Sequence, residues 1–342
     1  MQKLLCIAIG STMAFGAQAY DKIPKQEGLN GFVFLGAASN TLKSNTLATV
    51  GGTEVSDERI SSVSDSPDSK SYGRVTPAFN LSYTLEGART QFFGGTELDD
   101  FITQDSSFGI GVRQAVGDLG NLRASLLASS EREVYKDPYV VGVDRSKTDQ
   151  TSNGMRLGWE HILQSDFEVT YTHRKIELDS ERSGTTPAVD GGLTPGLSAA
   201  QINELDRNGD LSKIDFAYIA QLSPDSLFTS TYSYVDYDLD GNAMAMSGPM
   251  MQLDYRYTGL KDWALSGSAV VGTLSSNDTN PIYGKRQEQD SYGVSLTAAY
   301  LEPFGLKDWK ALGTLAYGKQ DNNIDFYESS ISSINLGMMY NF

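Results

Sequence analysis

Cysteine is nearly absent from this chain: there is one in 342 residues, together with two histidines and three tryptophans. The one cysteine, Cys6, falls in the N-terminal segment. The remainder can therefore hold no disulfide framework, thiolate nucleophile or cysteine metal site. His161 and His173 are too few for a histidine-rich metal centre, and no recognisable nucleophile–base motif accompanies either of them. Basic residues are also scarce. There are 27 Lys and Arg against 43 Asp and Glu, a net charge of −16, which argues against nucleic acid as a partner. Long apolar runs are missing as well. No stretch of about 18 apolar residues follows the N-terminal segment, so spanning helices are excluded.

The first residues point to export. Met1-Gln2-Lys3 is a short basic start, residues 4–16 are mostly apolar, and Ala17-Gln18-Ala19 is a small-x-small cleavage pattern. Cleavage before Tyr20 is expected, which gives a signal peptide over residues 1–19 and one domain over residues 20–342. An apolar run of this length is too short to cross a hydrocarbon core of roughly 30 Å as a helix. Cys6 lies too early to be a lipidation site.

From Gly31 onward the dominant signal is alternation. Pro77, Phe79, Leu81, Tyr83 and Leu85 alternate with Thr76, Ala78, Asn80, Ser82 and Thr84. Tyr292, Val294, Leu296, Ala298 and Tyr300 oppose Ser291, Gly293, Ser295, Thr297 and Ala299. Segments of about ten residues with period two are the pattern of a membrane barrel, the only sheet that satisfies every backbone group in lipid. The expected fold is an all-β, antiparallel, up-and-down transmembrane barrel of 14 strands, with 12 as the alternative count. The strands begin near residues 31, 75, 89, 106, 121, 153, 166, 212, 227, 248, 263, 290, 309 and 330. Two places fit poorly: adjacent Phe92 and Phe93 blur the third strand, and Pro77 cannot donate to a ladder.

Connections alternate between tight turns and long polar loops, notably residues 41–72, 132–151 and 179–211, as short periplasmic turns and long external loops do. Gly259-Leu260-Lys261-Asp262-Trp263 recurs as Gly305-Leu306-Lys307-Asp308-Trp309, each before an alternating strand. By strand direction Trp159, Trp263 and Trp309 all fall at the periplasmic interface, facing lipid. Ile334, Leu336, Met338, Tyr340 and Phe342 alternate to the last residue. A final Phe342 with Tyr340 two before it resembles the signal read by the outer-membrane barrel assembly machinery. Outer-membrane location follows, with lipid and lipopolysaccharide as surroundings.

The segment 23–33, Ile-Pro-Lys-Gln-Glu-Gly-Leu-Asn-Gly-Phe-Val, with Lys43-Ser44-Asn45, resembles the opening of a Gram-negative family known only as a domain of unknown function. The resemblance runs over the mature chain. It implies an outer-membrane barrel and brings no activity or catalytic residue.

Parity places the strand charges Arg113, Arg123, Arg156, Glu160, Glu168, Arg174, Asp215, Asp254, Arg256 and Lys310 on the face opposite the apolar set. Arg or Lys in lipid at the midplane costs about 2–4 kcal/mol, so this face is the lumen. Two readings stay open. Arg113, Arg123, Arg156 and Arg174 form a basic wall favouring anionic or hydroxyl-rich solutes, or Arg156, Glu160, Glu168 and Arg174 form a salt-bridge lattice that stiffens or closes the barrel. The expected function is a channel for small hydrophilic or anionic solutes, without cofactor. The alternatives are a non-conducting structural or adhesive barrel acting through its loops and, behind it, an outer-membrane hydrolase. No catalytic residue is assigned and no enzyme is expected: His161 falls at a periplasmic turn and His173 near the outer rim. Asp236, Asp238 and Asp240 before Gly241 match the first half of a calcium loop, with Ser247 where the bidentate Glu belongs. Asp206-Arg207-Asn208-Gly209-Asp210, after an expected short helix over residues 199–205 capped by Ser198 and Gln201, is a weaker match.

Overall fold

The computed structural model describes residues 23–97, 107–129, 132–186 and 196–342. The expected signal segment lies outside them. The strands are β1 (Gly28–Lys43), β2 (Thr49–Val50), β3 (Thr53–Glu54), β4 (Ser69–Leu85), β5 (Thr90–Glu97) and β6 (Ser107–Ala115). They continue with β7 (Asn121–Ser129), β8 (Arg132–Tyr135), β9 (Lys147–Glu160), β10 (Phe167–Leu178), β11 (Gly209–Ser223) and β12 (Ser226–Leu239). The last are β13 (Met246–Tyr257), β14 (Trp263–Asn280), β15 (Lys285–Leu301), β16 (Trp309–Asn322) and β17 (Ser329–Asn341).

Fourteen of these close into one antiparallel barrel, each paired with its sequence neighbour, and β17 pairs back to β1 from Phe32↔Asn341 to Lys43↔Ser330. Gly31 and Phe342 exchange backbone hydrogen bonds of 3.0 and 3.1 Å at the seam. The three remaining strands are accessory: β2 and β3 form a small hairpin in the β1–β4 loop, and β8 pairs with the start of β9.

Alternation decides which face each residue takes. On β1, Val33 and Leu35 point outward, whereas Phe34, Ala38, Asn40 and Leu42 are buried within. Leu126, Leu296 and Leu336 each leave more than 60% of their surface on the outer face. An apolar belt of this extent, wrapped round the whole molecule, far exceeds the few hundred Å² a soluble monomer exposes.

The two awkward places resolve simply. Phe92 points outward, and Phe93 points inward beneath Arg113 and Arg123, its ring centroid 5.1 and 5.0 Å from their guanidinium carbons. Neighbouring strand residues always take opposite faces. Pro77 pairs with Leu35 of β1, but the ladder between β4 and β5 covers only Asn80–Leu85, so Pro77 lies past its described end.

Several strands are longer than their sequence pattern indicated. β14 has 18 residues and β15 has 17, against the 9–11 that cross a membrane. Their extra length lies at the end with the long connections (the loop end), where Ser275-Ser276-Asn277-Asp278-Thr279 carries no apolar face to betray a strand. Backbone pairing continues there without a hydrophobic pattern. At the opposite, turn end sit all three tryptophans. Trp159 and Trp263 face outward, and Trp159 Nε1 donates to Leu119 O at 2.7 Å. Trp263 and Trp309 stack on Tyr300 and Tyr340 with centroids 5.0 and 5.3 Å apart, so the repeated five-residue segment builds the same rim contact twice.

Candidate functional site: the barrel interior and its seal

The inward positions of β5, β6, β7, β9 and β10 carry the charged lattice. Arg113 Nε lies 2.8 Å from Glu160 Oε2, and a second Arg113 nitrogen donates to Gln91 Oε1 at 2.7 Å. Glu97 receives Arg123 at 2.8 Å and Arg156 at 2.9 Å on the same oxygen. Arg156 Nε also donates to Thr172 Oγ1 at 2.9 Å, and Arg174 donates to Ser152 O at 3.0 Å and Ser107 Oγ at 2.9 Å. Glu168 is buried on the same wall.

The described ion pairs are not those of the expected lattice: Glu160 meets Arg113, and Arg156 meets Glu97, a carboxylate the sequence pattern does not single out. Glu97 ends β5, the strand whose alternation adjacent Phe92 and Phe93 blur. Among the described residues, four guanidinium groups face three carboxylates, leaving a single positive charge in excess on this wall.

The rest of the interior has little charge. Asp215 accepts from Lys213 at 2.9 Å and from Ser233 Oγ at 2.5 Å, and Asp254 accepts from Gln252 at 2.8 and 3.0 Å and from Ser268. Arg256 and Lys310 point inward near the turn end, on β13 and β16. Around them the wall is Ser, Thr and Asn: Thr297 and Thr314 share a hydrogen bond of 2.8 Å, and Thr76 meets Asn335 at 3.2 Å. The buried hydroxyls of Ser125, Ser266, Ser295 and Ser333 have no partner among the described protein groups. A buried hydroxyl without a protein partner calls for water. Toward the turn end an apolar patch of Phe34, Ala78, Leu312 and Met339 interrupts this lining.

The loop end is closed by the loops themselves. Leu47 and Val55 from the β1–β4 loop, Tyr139 from β8–β9, Leu205 from β10–β11, Met244 from β12–β13 and Phe326 and Tyr327 from β16–β17 form one buried apolar core. Tyr283, from the β14–β15 turn, packs on it, 5.8 Å from Tyr327 and 6.2 Å from Phe326 between ring centroids. Tyr139 and Tyr327 share a hydrogen bond of 2.5 Å, and Asn280 donates to Tyr327 at 2.9 Å. Burial pushes the Tyr327 phenol up to about 12.

Two buried arginines rivet these loops together. Arg145 donates to Asn45 O at 2.5 Å, Pro138 O at 3.0 Å, Glu58 O at 3.2 Å and Asp57 O, and stacks 3.7 Å from the Tyr135 ring centroid. Burial brings its pKa down to about 10, which still leaves it protonated at neutral pH. Arg207 grips Glu181 at 2.6 Å and the carbonyls of Tyr135 and Lys136 at 2.8 and 2.9 Å. Burial pushes the Glu181 carboxyl up, but Arg207 outweighs it and holds the group below its ordinary value.

The three aspartates of the calcium expectation do not converge. Asp236 and Asp238 lie on β12 and Asp240 just beyond it, alternating with buried Val235, Tyr237 and Leu239, so the three carboxylates point outward in a row. Alternate strand residues stand about 6.6 Å apart, too far to converge on one ion at 2.3–2.6 Å. Asp206 accepts instead from Asn208, through its backbone at 2.9 Å and its amide at 2.8 Å. Among the described residues no group of three His, Cys, Asp or Glu is placed to hold a metal. The expected helix does form, over Ala199–Asn203, with the Ser198–Gln201 capping box in place.

The sequence pattern of one family, described as Protein of unknown function (DUF2860), matches residues 28–341. The chain belongs to this family. That match covers every barrel strand, including the lattice and the loops of the seal, so both lie within the DUF2860 unit. No curated protein matches this DUF2860 chain. Among solved structures it is similar to OmpT, an outer membrane protein of Vibrio cholerae, folded in vitro. That likeness has 13% identity and a TM-score of 0.40 and covers 91% of this chain and 98% of that one. A FadL homologue of Pseudomonas aeruginosa has 13% identity and a TM-score of 0.44, covering 91% and 90%. The CymD monoaromatic hydrocarbon channel has 11% identity and a TM-score of 0.46, covering 100% and 95%.

Proposed function

We propose that this protein is an outer-membrane channel for small hydrophilic solutes, held shut at its external mouth by its own loops. The apolar belt and the tryptophan rim support placement in a bilayer, with the turn end periplasmic and the loop end external. The observation that carries the channel reading is the interior itself: inward positions such as Thr76, Ser268, Thr297, Thr314 and Asn335 are small and polar, in a fourteen-strand barrel that would need large side chains to fill it. The lattice and the other inward charges named above leave a small positive excess, so solute size and hydroxyl bonding act on passage together with a weak preference for anions. No cofactor enters this reading.

Planar-bilayer recordings test it. Wild type should open rarely, and a variant lacking residues 46–66, which removes Leu47 and Val55 from the seal, should conduct far more often. Silence from both proteins would replace the channel with a structural or adhesive barrel, the reading that the seal by itself favours.

Biogenesis gives a second test. Phe342 closes the seam against Gly31 and packs its ring 6.0 Å from Tyr340, at the end of the last strand. If the barrel assembly machinery reads this strand, Phe342→Ala should lower outer-membrane levels several-fold, while the refolded variant melts close to wild type. Equal levels in fractionated membranes would remove the signal reading.

A further inference from the structure

The outer surface carries a constellation that the channel does not use. On β10 and β11, at outward-facing positions, His173 pairs directly with Ser212, and Asp210 lies two residues further along β11. His173 Nδ1 is 3.3 Å from Ser212 Oγ, and its other nitrogen, Nε2, is 3.6 Å from Asp210 Oδ1. Tyr171 places its hydroxyl 3.2 Å from the same Ser212 oxygen. We infer that Ser212, His173 and Asp210 form a hydrolytic site for the carboxylic esters of outer-leaflet lipid acyl chains.

Three observations support this. First, the roles are complete. With its proton on the nitrogen facing Asp210, the imidazole leaves Nδ1 free to accept the Ser212 proton, and the carboxylate stabilises the imidazolium that follows. At 3.6 Å the Asp210 contact is electrostatic and tightens as that charge forms. Second, the direct contact of the cross-strand neighbour Lys175 is with Glu177 at 2.7 Å, so its pull on Asp210 is only the weaker, longer-range one. Third, the height is right for an ester. One step toward the turn end lie outward Tyr171 and Tyr234, flanking Ile214 across the three strands. Exposed tyrosines at this level mark the boundary between acyl chains and headgroups, where acyl esters sit. This placement rests on the orientation proposed above but not on conduction.

The chemistry balances without any further reactant but water. His173 takes the Ser212 proton as Oγ bonds to the acyl carbon, and the Tyr171 hydroxyl donates to the developing oxyanion. The ester bond breaks as the leaving alcohol takes the proton from His173. Water, giving a proton to His173, then attacks the acyl-serine, the acid departs and Ser212 regains its hydrogen. The expectation that this chain is no enzyme rested on histidines without recognisable partners in the sequence; the register supplies His173 with two.

The full chain, refolded in detergent micelles, should release p-nitrophenolate from p-nitrophenyl decanoate. S212A and H173N should each lose at least about 100-fold, with a smaller loss for D210N. A fluorophosphonate probe should add one adduct to wild type, mapping to the Ser212 peptide, and none to S212A. Separate incubations with phosphatidylethanolamine and with lipid A, read by mass spectrometry of released fatty acid, identify which ester it takes. The variants should retain wild-type heat-modifiable mobility and conductance, which separates this site from the channel. Release at the rate of empty micelles, equal rates in wild type and S212A, or an adduct elsewhere than Ser212 would each overturn the inference.

Discussion

Glu97→Gln should lower the midpoint of barrel unfolding and turn a weakly selective pore toward anions. Glu97 accepts from both Arg123 and Arg156, at 2.8 and 2.9 Å, deep in the wall. Removing one partner from a buried ion pair costs about 3–5 kcal/mol, because the remaining charge stays desolvated. Here one carboxylate serves two guanidinium groups, so the loss should fall at the upper end of that range. The electrostatic consequence is as direct. The wall's single excess positive charge becomes two, in an interior where charges are poorly screened. Heat-modifiable mobility measures the first effect and reversal potentials in a salt gradient measure the second. An unchanged midpoint with unchanged potentials would show that the lattice carries neither stability nor selectivity. To keep a conducting background, both measurements belong in the variant lacking residues 46–66.

Arg145→Ala should release the external seal while leaving the barrel intact. Arg145 is 3% exposed and ties four backbone carbonyls, at Asn45, Asp57, Glu58 and Pro138, into one unit over the Tyr135 ring. Without the guanidinium those acceptors lose their donor inside an apolar core, a cost on the order of 3–5 kcal/mol for a charged, multiply bonded group. The loss falls on loops rather than on the strand ladder. Limited proteolysis should therefore cut within residues 44–68 of the variant much faster than in wild type, channel openings should become frequent, and the barrel midpoint should move little. Arg145→Lys should fail to rescue, because an ammonium cannot reproduce a planar fork that reaches carbonyls on two loops. Wild-type cleavage and gating in the alanine variant would transfer the closing role to Arg207 and Glu181.

The parts legible in the sequence share one cause. Strands in a bilayer must alternate, so Val33 and Leu35 against Phe34 and Gly36, or Leu296 against Ser295 and Thr297, announce both strand and face. The strand number, the closure of β17 on β1, the tryptophan rim and the inward set from Arg113 to Lys310 all follow from that period. The reading weakened where the period lost its chemical contrast. The loop-end parts of β14 and β15 are polar on both faces and carry no strand signal. Phe92 beside Phe93 blurs the pattern of β5, and Glu97 lies at its end.

The sequence by itself determined which residues face lipid and which face the interior, since that choice is made residue by residue through the pleat. Only the tertiary structure decided what those residues meet. Arg123 reaches Glu97 across 26 positions and Arg156 reaches it across 59, because the strand stagger brings them to one height. Tyr139 meets Tyr327 over 188 positions because the loops of a closed barrel converge on its axis. His173 finds Ser212 39 residues away because the β10–β11 register sets them side by side. Local periodicity fixes a side; register, stagger and loop packing, which no short window of sequence contains, fix a partner.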